Sequence, residues 1–215
     1  MLSRLTTFLI GITLFGSTAY SQTVTPAFEG EIVYANVYKS KNPKLREKQL
    51  SVMLGSVHTY YVKRGDYKTV TNGMFAQWQL YINKDNKVYN KMASSDTVFF
   101  NNAAEHDDEV LSSKITKKVT TILGYSCDEL VLTCVSGVHK YYYNSRLRVD
   151  SKLFVNHKYG NMYNYLSLIN AVPLKMIIED SEIIMESTAT QVKPKKLDPK
   201  LFTLPPGTKT GPVVY

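Results

Sequence analysis

An α+β fold, one curved antiparallel β-sheet with a few helices laid against it, is what this sequence predicts. Three observations predict it. The run Ile115 to Ser145 reads as strand, turn at Gly124, strand, turn at Gly137, strand, in the β-branched and aromatic residues that suit a pleated surface. From His58 to Met92, short strands alternate with tight turns. Helical signs are confined to a segment ending at Gly55 and to the stretch after Asp150.

Residues 1–21 have the three parts of a secretory signal: Arg4, a short apolar core over Phe8–Phe15, and Ala19-Tyr20-Ser21 as a small-x-small cleavage site before Gln22. The apolar core falls short of the roughly 18–20 residues that span a bilayer, so a cleaved leader is expected rather than an anchor. No second long apolar stretch follows, and no transmembrane segment is expected after cleavage. Residues 22–215 suit one domain with a sizeable core. The whole chain carries 26 basic and 18 acidic side chains, and loss of Arg4 with the leader leaves 25 against 18, a formal charge of +7. Such a surface suits anionic headgroups or acidic polymers, although spread charge of this kind also serves solubility alone. A periplasmic or secreted location follows, and nucleic acid is not an expected partner.

Phe28–Tyr38 alternates as a first strand, with Ile32 and Tyr34 on one face and Val33 and Val37 on the other. A helix follows, with Asn42 as cap, Pro43 at its first position and Gly55 as a left-handed stop. The meander runs Thr59–Arg64, Tyr67–Asn72, Phe75–Ile82 and Lys87–Met92, turning at Gly65-Asp66 and at Lys84-Asp85-Asn86. In its third strand Ala76, Trp78, Leu80 and Ile82 share a face from which Gln77 and Gln79 point away. Ser94–Ser113 is irregular, with Val98–Phe100 a candidate short strand.

After the central strands the period changes. Asp150 or Ser151 opens a short turn, and Asn161 caps a helix in which Met162, Tyr165, Leu166 and Ile169 form one stripe. Two strands follow, Val172–Glu179 with Leu174, Met176 and Ile178 on one face, and Ile183–Val192. Leu197–Gly207 is too rich in proline for a central strand, so Phe202 and Leu204 are expected to tuck in as an edge clamp, with a loose tail beyond.

Cys127 and Cys134 lie on one uninterrupted strand, about 23 Å apart at ~3.3 Å per residue. A disulfide needs Cα atoms within about 7 Å, so both are expected free and packed. His58, His106, His139 and His157 are scattered, and no zinc-protease, nucleophile-elbow, phosphate-loop or CxxC spacing occurs. Asp128 and Glu129 are adjacent on a strand and so point apart. The acidic group Glu105, Asp107, Asp108 and Glu109 around His106 lacks a calcium-loop pattern and reads as a solvated loop. No catalytic residue, metal or cofactor is expected. The 16 tyrosines are the more suggestive feature, since strand phenols fill cross-strand pairs and also line pockets.

Three segments together resemble a family of uncharacterised exported Bacteroidetes proteins of the GLPGLI style. They are Ile122-Leu123-Gly124-Tyr125-Ser126-Cys127, then Val172-Pro173-Leu174-Lys175-Met176, then Leu197 to Gly207 with its Phe-x-Leu-Pro pattern at Phe202, Leu204 and Pro205. Tyr142-Tyr143 and Ala171 depart from the pattern where Trp and Gly are usual. The resemblance implies the LolA/LolB-like carrier superfamily. Its shape is a half-barrel, a strongly bent antiparallel sheet with helices covering the concave face.

These readings join in an expected function. A non-enzymatic binding protein would hold a lipid, acyl chain or other lipophilic ligand against a wall of Trp78, Leu80, Ile82, Leu174 and Met176, closed by Met53, Leu54, Met162 and Leu166 from the helices. The alternative is an envelope structural or interaction module with a filled core, meeting a protein partner through surface tyrosines and lysines.

Overall fold

A computed structural model of the protein describes residues 26–106 and 108–213. The proposed leader therefore lies outside the described residues. Most of the chain builds one twelve-stranded sheet: β1 (Gly30–Ser40), β2 (Val57–Lys63), β3 (Asp66–Thr71), β4 (Ala76–Ile82), β5 (Lys87–Met92), β6 (Val98–Asn102), β7 (Val110–Ile122), β8 (Tyr125–Cys134), β9 (Val138–Arg148), β10 (Ala171–Glu179), β11 (Ile183–Pro194) and β12 (Thr210–Pro212). The strands lie in the order β12-β6-β5-β4-β3-β2-β1-β11-β10-β9-β8-β7. Neighbours are antiparallel except β12, which runs parallel to β6. The ends, β12 and β7, do not meet, so the sheet curls into a half-barrel without closing. Among the described residues two α-helices complete the α+β fold, α1 (Glu47–Leu54) and α2 (Met162–Ile169).

Hairpins fix most of the register locally. Gly124 (φ +79) makes the tight turn between β7 and β8. Asp180 Oδ1 accepts from the backbone N–H groups of Glu182 and Ile183 and so shapes the β10–β11 turn. A long-range closure joins β1 to β11 along the whole of β1, seating the first strand mid-sheet, and a second lays β12 beside β6.

Apolar residues cover both faces. On the concave side, Ile32, Tyr34, Val62, Tyr67, Tyr81, Leu130, Leu132 and Leu174 pack beneath Phe154 and the inner face of α2, where Tyr165, Leu166 and Ile169 are buried. Tyr165 stacks on Tyr141 with ring centroids 4.4 Å apart. On the convex side, Leu80, Tyr89 and Val98 are roofed by Leu197 and Phe202. A 3-10 turn, Pro199–Phe202, carries that roof, with Asp198 accepting from the Lys200 N–H at its start.

Several expectations change in detail. Asn42 accepts from the Lys44 N–H in a separate turn, and α1 begins only at Glu47, where Gln49 Oε1 takes the Arg46 N–H. Three basic side chains near the start, Lys44, Arg46 and Lys48, favour solvent over an earlier first turn. Gly55 does stop the helix, at φ +96. Asn161 precedes α2 in the left-handed region and makes no cap with its side chain. The tail is not loose over Thr210–Pro212, which forms β12.

Candidate functional site

Alternate residues of β1, β2 and β3 face the hollow of the sheet, and between them and the ends of the two helices lies a cleft of about 430 Å³. Tyr34, Tyr38, His58, Tyr60 and Tyr67 give it an aromatic floor. Leu54 enters from α1, and Met162 and Tyr165 from α2. Met176 of β10 and Met185 of β11 add flexible thioether walls that adapt to irregular apolar shapes.

The polar atoms of this floor are turned on one another. Tyr34 Oη donates to the Pro173 carbonyl at 2.7 Å, and Tyr38 Oη to the Gly55 carbonyl at 2.8 Å. Asn36 Nδ2 donates to the same Gly55 carbonyl, while its Oδ1 accepts from Ser187 Oγ and lies 2.9 Å from His58 Nδ1. The His58 ring lies flat against Tyr34, with centroids 4.6 Å apart. Burial lowers the His58 pKa to about 4, so the imidazole is neutral at pH 7. Burial likewise raises the Tyr34, Tyr60, Tyr67 and Tyr165 phenols, which keep their protons. No carboxylate, ammonium or guanidinium lines the cleft among the described residues. The surface offered is uncharged and mostly apolar.

Of the nine residues expected to form a ligand wall, Leu54, Met162 and Met176 line this cleft, and Trp78 borders it while packing against the convex cluster, on the face it shares with Leu80. Leu166 and Leu174 lie beneath it in the concave core, 3% and 0% exposed. Met53 is half-buried on α1, with its carbonyl accepting from the Phe75 N–H. Leu80 and Ile82 belong to the convex cluster, on the opposite side of the sheet from α2. The physical reason is that β4 is covered on both faces, so its most apolar face need not be its inner one. Tyr81 and Gln79 look inward instead. The aromatic floor was legible only in part, through the shared face of Ile32 and Tyr34.

The acidic group before β7 also differs from a simple solvated loop. Position 107 lies outside the described residues, but the Asp108 carboxylate is mostly buried, beside Cys134 and His139. Cys134 therefore sits in polar company. Its thiol is pushed up to about 12, first by burial and then by the Asp108 charge. Cys127 and Cys134 are both free and buried.

No family model matches the chain, and no curated protein does. Among solved structures the chain is similar to PNGF-II, at 16% identity and a TM-score of 0.46, over 87% of this chain but only 32% of the other. It is also similar to a LolA superfamily protein from Nitrosomonas europaea, at 12% identity and a TM-score of 0.39, over 83% of this chain and 91% of that one. The chain thus spans about a third of PNGF-II. Both likenesses are shallow, and the chemistry of the cleft rests on its own residues.

Proposed function

We propose that this is an exported, non-enzymatic binding protein that holds an acyl chain or similar lipophilic group in the concave cleft. The observation that carries the reading is the uncharged lining, in which the Tyr34 and Tyr38 hydroxyls, the Asn36 amide and His58 Nδ1 find partners within the protein and leave rings and methionine side chains facing the space. A volume of about 430 Å³ falls within the roughly 300–1,000 Å³ of small-molecule sites. Each buried methylene contributes about 0.8 kcal/mol, so a chain burying about eight of them gains roughly 6 kcal/mol before the cost of immobilising it. The leader read over residues 1–21 supports an envelope or secreted setting. An intact mass beginning at Gln22 would bear that out, and a retained leader would refute it. No described helix is long and apolar enough to cross a membrane.

Delipidated protein titrated with a fluorescent polyene fatty acid should show saturable binding that palmitate displaces. Met176→Lys, which places an ammonium against the apolar wall, should weaken that binding at least about 100-fold because an unpaired buried charge is costly. Absence of displaceable binding, or an unchanged affinity in Met176→Lys, would refute the reading.

The interaction-module alternative has one observation in its favour, the free outer edge of β7, where Leu111 is 61% exposed. That edge is blunted, however. Between Thr116 and Thr120 the register breaks in a bulge, Lys118 turns left-handed at φ +53, and Asp128 ties down both the Lys118 N–H and the Lys117 ammonium. Lysines and bulges on an edge discourage strand addition, which favours the cleft reading.

A further inference from the structure

We infer that Asp108, Cys134 and His139 form a binding site for a thiophilic divalent cation, with zinc the natural occupant. The hairpin between β8 and β9 brings two of the donors together. Leu132 pairs with His139 across the ladder, and Cys134 follows two residues on from Leu132, so thiol and imidazole share the concave face. Asp108 is delivered by the segment before β7, which the Val135 N–H pins through the Glu109 carbonyl. Cys134 Sγ lies 3.8 Å from His139 Nδ1, and His139 Nε2 lies 3.9 Å from Asp108 Oδ2. One donor atom from each of the three residues falls within 4.8 Å of the others. Tetrahedral zinc, with bonds of about 2.3 Å to sulfur and about 2.0–2.1 Å to nitrogen and oxygen, needs its donors roughly 3.3–3.6 Å apart. The two distances run to opposite nitrogens of the imidazole, only one of which can bind a given ion, so with one donor per residue the set stands at most about 1.5 Å wider than a zinc shell, a gap that side-chain rotation closes on binding.

The donors are also held in place from outside. Ser136 gives its N–H to Asp108 Oδ1 at 3.0 Å and its hydroxyl to Oδ2 at 2.7 Å. Asn161 Nδ2 reaches both Asp108 Oδ2, at 3.2 Å, and Cys134 Sγ, at 3.6 Å. Asn161 is 0% exposed and left-handed, and Asn164 Nδ2 in turn fixes its Oδ1 at 2.7 Å. Such supporting bonds orient metal ligands and raise affinity. They also explain why Asn161 forgoes the cap of α2. Thiolate, carboxylate and neutral imidazole carry two negative charges, which a divalent cation cancels, and a soft sulfur with an imidazole favours zinc over calcium or magnesium. A surface hollow bordered by His106, Glu109 and Asn164 lies beside the segment that carries Asp108. A hydrogen-bonded polar pocket without affinity for metal is the competing explanation.

The two are separated by cobalt as a spectroscopic substitute for zinc. The reduced full-length protein, stripped with chelator, should take up one equivalent of Co²⁺ with a near-ultraviolet thiolate-to-cobalt charge-transfer band, which zinc then abolishes by displacement. Cys134→Ser should remove the band and weaken zinc binding more than about 100-fold, a larger effect than loss of an orienting neighbour gives. Cys127→Ser should leave both unchanged. Were Cys134→Ser unable to fold, as circular dichroism would reveal, His139→Gln and Asp108→Asn should each lower zinc affinity in a folded protein. Lack of stoichiometric uptake by the folded wild type, or a band that survives Cys134→Ser or vanishes with Cys127→Ser, would overturn the inference. None of these readouts depends on the lipophile cleft.

Discussion

Replacing Leu80 by alanine separates the two faces of the sheet. Leu80 is 0% exposed and packs in the convex cluster with Tyr89, Val98, Leu197 and Phe202. Its neighbours are poorly placed to collapse into the vacated space. The Leu197 N–H is held by Glu29 Oε1 at 2.6 Å, Tyr89 Oη by Asp85 at 3.0 Å, and the 3-10 turn bearing Phe202 by Asp198. A Leu→Ala change in a core costs about 2–5 kcal/mol, the upper part where the cavity persists, so we expect about 3–4 kcal/mol here. In a domain of this size each kcal/mol moves the melting temperature by about 2–4 °C, giving a fall of roughly 6–16 °C. Urea unfolding, with an unchanged slope, measures the loss directly. Lipophile affinity, read well below the transition, should stay within about twofold of wild type because the site lies across the sheet. A loss under about 1 kcal/mol would mean that the C-terminal roof does not seal this residue. A tenfold weaker ligand would return Leu80 to the cleft wall.

Gly55→Ala should destabilise by more than about 1–2 kcal/mol in urea. The residue sits at φ +96, and a Cβ there would run into Thr71 Oγ1 and come within 2.8 Å of the Gly73 nitrogen. A stability equal to wild type would refute the strain. Acid should weaken the fold through His157, which is 1% exposed and whose pKa burial lowers to about 4. The unfolded ring titrates near 6.5, so its contribution is whole above that pH and is lost as pH falls from about 6.5 to 4, about 3 kcal/mol in all. His157→Gln should remove that share of the loss over the window and leave the share of His58, whose pKa burial also lowers to about 4. An unaltered pH profile would show that the ring protonates freely when folded.

The meander was legible because hairpins are local. Gly65-Asp66 and Lys84-Asp85-Asn86 announce turns, and strands two residues from a turn have little choice of partner. The stripe Met162, Tyr165, Leu166, Ile169 was legible for the same reason, since period and burial coincide within two helical turns. What the chain did not disclose is which face of β4 turns inward. Leu80 and Tyr81 are both fully buried, and alternation cannot rank two buried faces. The choice is made by Leu197 and Phe202, more than a hundred residues downstream, which roof one face while α2 and Phe154 fill the other. The polar cluster was hidden for a related reason. Cys134 and His139 meet only across a ladder, and Asp108 meets them only once β7 has paired with β8.

The placement of α2 follows from both sites at once. At eight residues it is far shorter than an isolated helix needs to persist in water, so its contacts alone fix where it lies. Tyr165, Leu166 and Ile169 anchor its inner face, and the left-handed Asn170 closes it with a hydrogen bond to the Leu166 carbonyl at 2.8 Å. At its start a single peptide bond separates the two environments. Asn161 commits its amide to Asp108 and Cys134, while Met162, the next residue, lines the cleft and accepts the Tyr165 hydroxyl on its sulfur. A conventional cap needs an extended Asn161 with its Oδ1 free, whereas here the backbone is left-handed and that oxygen accepts from Asn164 Nδ2. The chain instead gives up the roughly 1 kcal/mol that a side-chain cap supplies and uses the amide to hold the lid helix to the sheet. The wall of the cleft is therefore positioned by the same side chain that orients the buried Asp108 and Cys134 donors.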